Sequence, residues 1–211
     1  MKIITVSREF GSGGRELGRR IADELNIDYY DHEILTAISK SQGSEDEYVR
    51  SFLNNHGWSS VPLTFQHSFF TVPAMQDAQL KILVEQRKIL EAIAKSEKDC
   101  VIVGRNADII LQDEHPFKIF VCAEKNAKIK RCLERADPEE NLPPKEIEKN
   151  MRRIDKSRAF SRSLICDAKW GDRQSYHLTV NTTQWDIKAL APIVASFAEN
   201  WFCHRSDCDR A

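Results

Sequence analysis

The feature that most constrains this chain is its first eighteen residues. Residues 2–6 (Lys-Ile-Ile-Thr-Val) read as a short buried strand, and residues 7–14 as a tight loop containing Gly11, Gly13 and Gly14. From Arg15 to Leu25 the pattern is helical, with Leu17, Ile21, Ala22 and Leu25 on one face. A strand, a glycine loop and a helix in that order make an anion cradle. Glycines let successive backbone N–H groups turn inward, and the helix N-terminus adds partial positive charge. The usual phosphate loop reads G-x-x-x-x-G-K-[ST]. Here Arg8 stands at the first glycine, Gly13 at the second, Gly14 at the lysine and Arg15 at the Ser/Thr. Taken alone, the stretch is equally a glycine turn feeding a packed helix, and the rest of the chain has to decide.

Beyond it, strands alternate with helices. Residues 27–30, 99–103, 117–123 and 176–180 read as further strands. Asp31 is an N-cap for a helix to about residue 40, and Ser44 with Glu47 forms a capping box for another to about 55. Longer or later helices are expected over about 74–97, up to 111, and over 126–135, 145–157 and 183–202. The 57–74 segment carries Trp58, Phe65, Phe69 and Phe70 between Gly57 and Pro73, so it is a lid, an inserted subdomain or a subunit contact. The alternation predicts an α/β fold, a five-stranded parallel sheet with helices on both faces. In such sheets ligands sit beyond the carboxyl ends of the strands. Those ends carry Ser7 to Gly14, Tyr30 and Asp31, Gly104 and Arg105, and Asn181.

At 211 residues the chain is one domain. A formal net charge of -1, with 30% charged residues, gives no electrostatic pull towards nucleic acid or a membrane surface. No apolar run has the length of a membrane span. Arg8 and Glu9 follow the first strand too soon for a signal peptide. The six cysteines form no C-x-x-C pair, and Cys100 and Cys122 lie in or beside strand-like runs. These features predict a reducing, cytoplasmic setting. Cys203, His204 and Cys208 read as incidental groups on a frayed tail, since their spacing fits no usual zinc pattern.

Two further constellations bear on chemistry. In Val101-Ile102-Val103-Gly104-Arg105-Asn106 an arginine follows a buried strand and a glycine. It is either aimed into the ligand crevice, where a guanidinium can fork onto phosphate, or a surface arginine at a helix start. In Arg152-Arg153-Ile154-Asp155-Lys156-Ser157-Arg158 four cations crowd seven residues. They form a solvated basic face, or they neutralise a transferring phosphoryl group.

With these motifs the chain resembles the cytidylate kinase-like family, a branch of the nucleoside monophosphate kinases. The resemblance is carried by residues 4–15, Tyr29-Tyr30-Asp31, residues 101–106, the 117–123 strand and residues 152–158. Trp170-Gly171-Asp172 and residues 176–182 add to it. It implies a core of residues 1–30, 98–135 and 176–203, a helical monophosphate-binding insertion over about 31–97, and a lid over about 136–175. It also implies an ATP-dependent phosphotransferase that uses Mg2+ and acts on a nucleoside monophosphate (CMP- or dCMP-like) or a similar small acceptor. Its partners would be nucleotides, not nucleic acid or membrane, and the 57–74 segment makes a homodimer an option.

Carried over by position, Ser7, Arg8, Gly11, Ser12, Gly13, Gly14 and Arg15 would hold the ATP phosphates. Asp31, Arg105 and Asn106 would face the acceptor, and Arg15, Arg153 and Arg158 would act on the phosphoryl group. No side chain is assigned to a metal. The chain differs from cytidylate kinases in four places. Gly14 stands for the loop lysine, Val103 for an acidic residue, Asn106 for an aspartate and Ser7 for an aspartate. These differences bear on catalysis, magnesium binding and cytosine selectivity. The missing lysine leaves two options: Arg15 substitutes for it with Arg8 in support, or backbone amides alone bind the phosphates. The contrasting function is a non-catalytic nucleotide-binding sensor.

Overall fold

A computed structural model describes residues 1–31, 76–136 and 143–208. The helices expected after Asp31 and Ser44, the apolar 57–74 segment and Pro138 lie outside these residues. The described chain runs β1 (Ile3–Arg8), α1 (Gly14–Leu25), β2 (Asp28–Tyr30), α2 (Gln76–Lys95), β3 (Cys100–Val103) and α3 (Ala107–Ile110). It continues through β4 (Phe117–Cys122), α4 (Lys125–Arg135), α5 (Pro144–Ser163), β5 (Leu178–Asn181) and α6 (Ile187–Cys208). The strands form one five-stranded sheet in the order β2-β3-β1-β4-β5. Every pairing is parallel.

β1 is the central strand because its sequence can be buried on both faces. Ile3, Ile4, Thr5, Val6 and Ser7 are all buried, and only Arg8 at its end is not. Val6 pairs with Val103 on one side and Ile119 on the other, so β3 ends at Val103 while β1 and β4 run on together to the Arg8–Val121 pair. The helix that follows packs against β3 through Gly18, where a Cβ would lie 2.6 Å from Val103 Cγ2. Leu17, Ile21 and Ala22 of α1 join Leu190, Ala191, Val194 and Ala198 of α6 in the main core. Burial of each leucine, isoleucine or valine among them contributes about 1.5–3 kcal/mol. A second, small core of Phe10, Cys132, Ile147 and Met151 joins the glycine-loop segment to α4 and α5.

Three elements depart from the sequence reading. Helix α5 continues to Ser163, past the expected end at 157, because nothing in Arg158–Ser163 breaks a helix and its last turn is anchored by buried Arg162. Helix α6 runs on to Cys208, so Cys203 and His204 belong to helical turns and not to a frayed tail. Strand β5 starts two residues late because Arg173–Ser175 form a tight 3-10 turn, after which Tyr176 is buried against Phe120. No helix among the described residues is long and apolar enough to cross a membrane.

Candidate active site

The carboxyl ends of β1 and β3 and the start of α1 face one another, and the unusual residues gather there. Gly11 and Gly13 hold left-handed φ values of +75° and +81°, which an L side chain resists. Space for a side chain is tight at both positions as well. A Cβ at Gly11 would lie 3.0 Å from the Lys128 carbonyl, and one at Gly13 2.7 Å from Ile187 Cδ1. The loop is also fastened from outside. Glu9 Oε2 accepts from Lys128 Nζ at 2.8 Å and from the Ala123 amide at 3.3 Å. Ser12 Oγ donates to the Glu9 carbonyl at 2.8 Å, and the Ser12 carbonyl accepts from Thr182 Oγ1 at 2.6 Å. Arg131 spans the Ser12, Thr182 and Trp185 carbonyls. The cradle is therefore built before any ligand arrives, and its glycine backbone fits a phosphate chain.

Past β3 the backbone turns through three consecutive left-handed residues: Gly104 (φ +81°), Arg105 (φ +60°) and Asn106 (φ +54°). For L residues this conformation costs about 1–2 kcal/mol each, a strain of the kind that gathers at functional sites. Arg8 lies directly against this turn, since a Cβ on Gly104 would overlap its guanidinium. Helix α5 supplies a third arginine. Arg158 Nη1 donates to the Arg8 carbonyl at 2.9 Å and to Asp155 Oδ1 at 3.1 Å, and its guanidinium sits 5.9 Å above the Phe10 ring. Asp155 Oδ1 also accepts from the Phe10 amide at 2.8 Å. Asp155 thus pins α5 to the loop.

The electrostatics match this geometry. Burial, then Arg158, then Arg105 push the Arg8 guanidinium down from its usual value to about 9, against the pull of nearby Tyr29 and Asp31. Burial holds Arg105 at about 10, with Asp31 opposing and Arg158 adding to the fall. Burial also lowers Arg158, although Asp155 draws it back. Arginine stays protonated at neutral pH. Three positive charges therefore face one another, half-buried, and an anion between them would relieve both desolvation and repulsion.

Other expected site residues are placed differently. Arg15 donates from Nε to Asp31 Oδ2 at 2.8 Å, and Tyr29 Oη donates to the same oxygen at 3.3 Å. Asp31 is therefore a buried counter-ion for Arg15. The Ser7 side chain is buried on β1 and faces the Tyr176 hydroxyl. Asn106 Nδ2 donates to Ser161 Oγ at 3.1 Å, tying α3 to α5. Of the two arginines expected to act from a lid, only Arg158 is brought to the cluster, and Arg153 is exposed.

Sequence reasoning missed the pair that completes this docking. Arg162 Nη1 donates to Asp108 Oδ2 at 2.6 Å, with side chains only 1% and 2% exposed. Its signal was the i,i+4 step from Arg158 along the same helix face. Among the described residues no group of three His, Cys, Asp or Glu side chains could hold a metal. The loop position that would offer a hydroxyl to magnesium is Arg15.

The profile of the cytidylate kinase-like family matches residues 3–184. The chain belongs to this family. A cytidylate kinase of Haloarcula marismortui is 25% identical over 199 residues, covering 94% of this chain and 90% of its own. Among solved structures, an uncharacterised protein from Eubacterium ventriosum has a TM-score of 0.69 at 23% identity, covering 94% of this chain and 99% of that one. A shikimate kinase from Bacteroides thetaiotaomicron reaches a TM-score of 0.51 at 15% identity, with 94% and 98% coverage. The structural likenesses show the fold, and the family membership supports a phosphotransferase of kinase type.

Proposed function

We propose that this cytidylate kinase-like protein transfers the γ-phosphoryl group of ATP to a nucleoside monophosphate of the CMP or dCMP kind, or to a similar small acceptor. The observation that carries the reading is the convergence of Arg8, Arg105 and Arg158 beside a preformed glycine cradle. Phosphoryl transfer asks little covalent work of a protein. Positioning and neutralisation of charge on the transferring group supply the rate.

In this reading the Gly11–Gly14 amides hold the donor phosphates, as a glycine loop at a helix N-terminus favours. Arg105, aimed by its left-handed turn, forks onto the acceptor phosphate. Arg158 neutralises the group in flight, held in place by Asp155 and by its bond to the Arg8 carbonyl. Arg15 and Asp31 form one wall of the acceptor side. Magnesium would come with the ATP phosphates, where this ion usually keeps several waters and few protein ligands.

The test is an ADP-release assay with ATP and magnesium across CMP, dCMP, UMP, AMP and GMP, run beside thermal shift. Turnover with at least one monophosphate, with Arg105→Ala raising that acceptor's KM tenfold or more, supports the reading. ATP-induced stabilisation without turnover on any acceptor favours the sensor instead.

A further inference from the structure

The loop lacks its lysine, and the structure offers a physical reason. In the usual pattern position 8 is a glycine and position 14 is the lysine. Here the two are exchanged in kind: Arg8 carries the cation and Gly14 has no side chain. The exchange is spatially coupled. A Cβ built on Gly14 would lie 2.5 Å from Arg8 Cβ, 3.1 Å from Arg8 Cγ and 3.1 Å from Val121 Cβ. The stem of Arg8 therefore fills the space a side chain at position 14 needs. From there the side chain crosses to β3, where its guanidinium lies against Gly104, over the space a Cβ would take. Two glycines, ninety residues apart in sequence, thus flank one arginine. Among the described residues no carboxylate bonds the Arg8 guanidinium, whereas Arg15 is bonded to Asp31.

We infer that the cation of this phosphate loop has changed sides: Arg8, rising from β1, grips the transferring phosphoryl group in place of a lysine at position 14, and Gly14 is a glycine because the Arg8 stem passes over it. The inference rests on the phosphotransferase reading and makes it more specific. It replaces Arg15 as the principal loop cation, leaving Arg15 to the acceptor wall. A lysine at position 14 serves the donor from the helix start. Arg8 instead spans from the cradle to the Gly104–Asn106 turn, so one side chain touches both ends of the transfer path. Its charge is fixed and its planar fork can hold two phosphoryl oxygens at once.

Calorimetry with pyrophosphate, ATP and adenosine tests this without requiring turnover. Arg8→Met keeps the stem over Gly14 and removes the guanidinium. It is expected to weaken pyrophosphate and ATP binding at least tenfold while leaving adenosine binding within twofold. Arg8→Lys is expected to recover part of that loss. The exchange itself is tested by reversal. Gly14→Lys alone should destabilise the fold by collision with Arg8, and Arg8→Gly should lose pyrophosphate affinity. The double variant Arg8→Gly/Gly14→Lys should regain at least tenfold over Arg8→Gly.

Undiminished pyrophosphate affinity in folded Arg8→Met overturns the assignment, as does a folded double variant with no recovery. Should the double variant not fold, Arg8→Met and Arg8→Lys decide between them. An unaltered protein that binds pyrophosphate but phosphorylates no acceptor defeats the parent reading alone, and the Arg8 affinities still judge this one.

Discussion

The buried Asp108–Arg162 pair is the sharpest test of how the site is held. Asp108 lies three residues after Arg105, and Arg162 one helical turn after Arg158, so a single ion pair joins the supports of two site arginines. At 2.6 Å and an effective dielectric of about 20, the bare attraction is roughly 6 kcal/mol. Desolvation of two ions cancels most of it, at several kcal/mol each. Satisfaction is also incomplete, since Asp108 Oδ1 and Arg162 Nη2 have no hydrogen-bond partner among the described residues. The net worth of the pair against two apolar side chains is therefore near zero. Removing one partner is different, because it strands the other: Arg162→Met should cost about 3–5 kcal/mol. For a chain of this size each kcal/mol moves Tm by about 2–4 °C, so a fall of roughly 10 °C is expected.

Asp108→Leu/Arg162→Met should regain most of that stability but not the turnover, because α5 loses its ionic fastening to the Arg105 segment and is left with the Asn106–Ser161 bond. Arg152→Met is the exposed control. Arg152 bonds Glu148 at 2.5 Å with 71% of its side chain in solvent, where ion pairs contribute about 0–1 kcal/mol. The assays are thermal and urea unfolding followed by circular dichroism, with kcat on any accepted acceptor. If Arg162→Met melts no lower than Arg152→Met, the charge argument is wrong. If the double variant melts as low as the single one, the loss lies in shape, through the Arg162 contacts with the Tyr176 ring and the Ala168 carbonyl.

Further expectations concern the other arginines and the carboxyl that holds one of them. Arg105→Gly should melt higher than Arg105→Ala, because the φ of +60° costs an L residue about 1–2 kcal/mol; both should lose acceptor affinity, and equal Tm values would contradict the strain. Arg158→Ala should lower kcat at least tenfold, from loss of a charge-assisted bond of about 1.5–3 kcal/mol, while Arg153→Ala should change it less than twofold; steady-state kinetics giving the reverse order would dismiss the placement. Burial raises the Asp155 carboxyl above its usual value, although Arg158 and the Phe10 amide pull it down. The folded state then binds more protons than the unfolded chain from about pH 3.8 upward to the raised value, so stability falls as pH rises through that window. Asp155→Asn keeps an oxygen for the Phe10 amide and should lack that fall, which urea unfolding at stepped pH would detect; a parallel pair of curves would remove Asp155 from the account.

The sheet was legible because burial on both faces leaves its mark residue by residue. Ile3 to Val6, Val101 to Val103 and Phe117 to Val121 admit almost no reading but parallel strands inside a layer of helices. The edge where the site lies followed from topology. Which side chains would meet at that edge did not follow, because distance across it depends on backbone turns that pattern does not encode. Arg105 and Asn106 take a left-handed conformation that neither residue type demands. Arg158 is drawn inward and Arg153 is not, although both lie in the same basic run. That difference comes from the helix phase fixed by Ile147 and Met151, which pack beneath Phe10.

The glycine loop departs from the phosphate-loop motif at several positions yet keeps the physical elements of an anion cradle. Judged position by position, the loop has lost its cation and gained an arginine where a glycine belongs. In space these two departures are one, because the Arg8 stem occupies the room of the absent lysine. A cradle needs inward amides and a positive charge within reach, and it does not fix which strand or helix supplies that charge. The amides come from glycines at the expected place. In the arrangement inferred for Arg8 the charge would arrive from the far side of the loop, and Gly14, with no room for a side chain beside the Arg8 stem, would be the trace it leaves in the sequence.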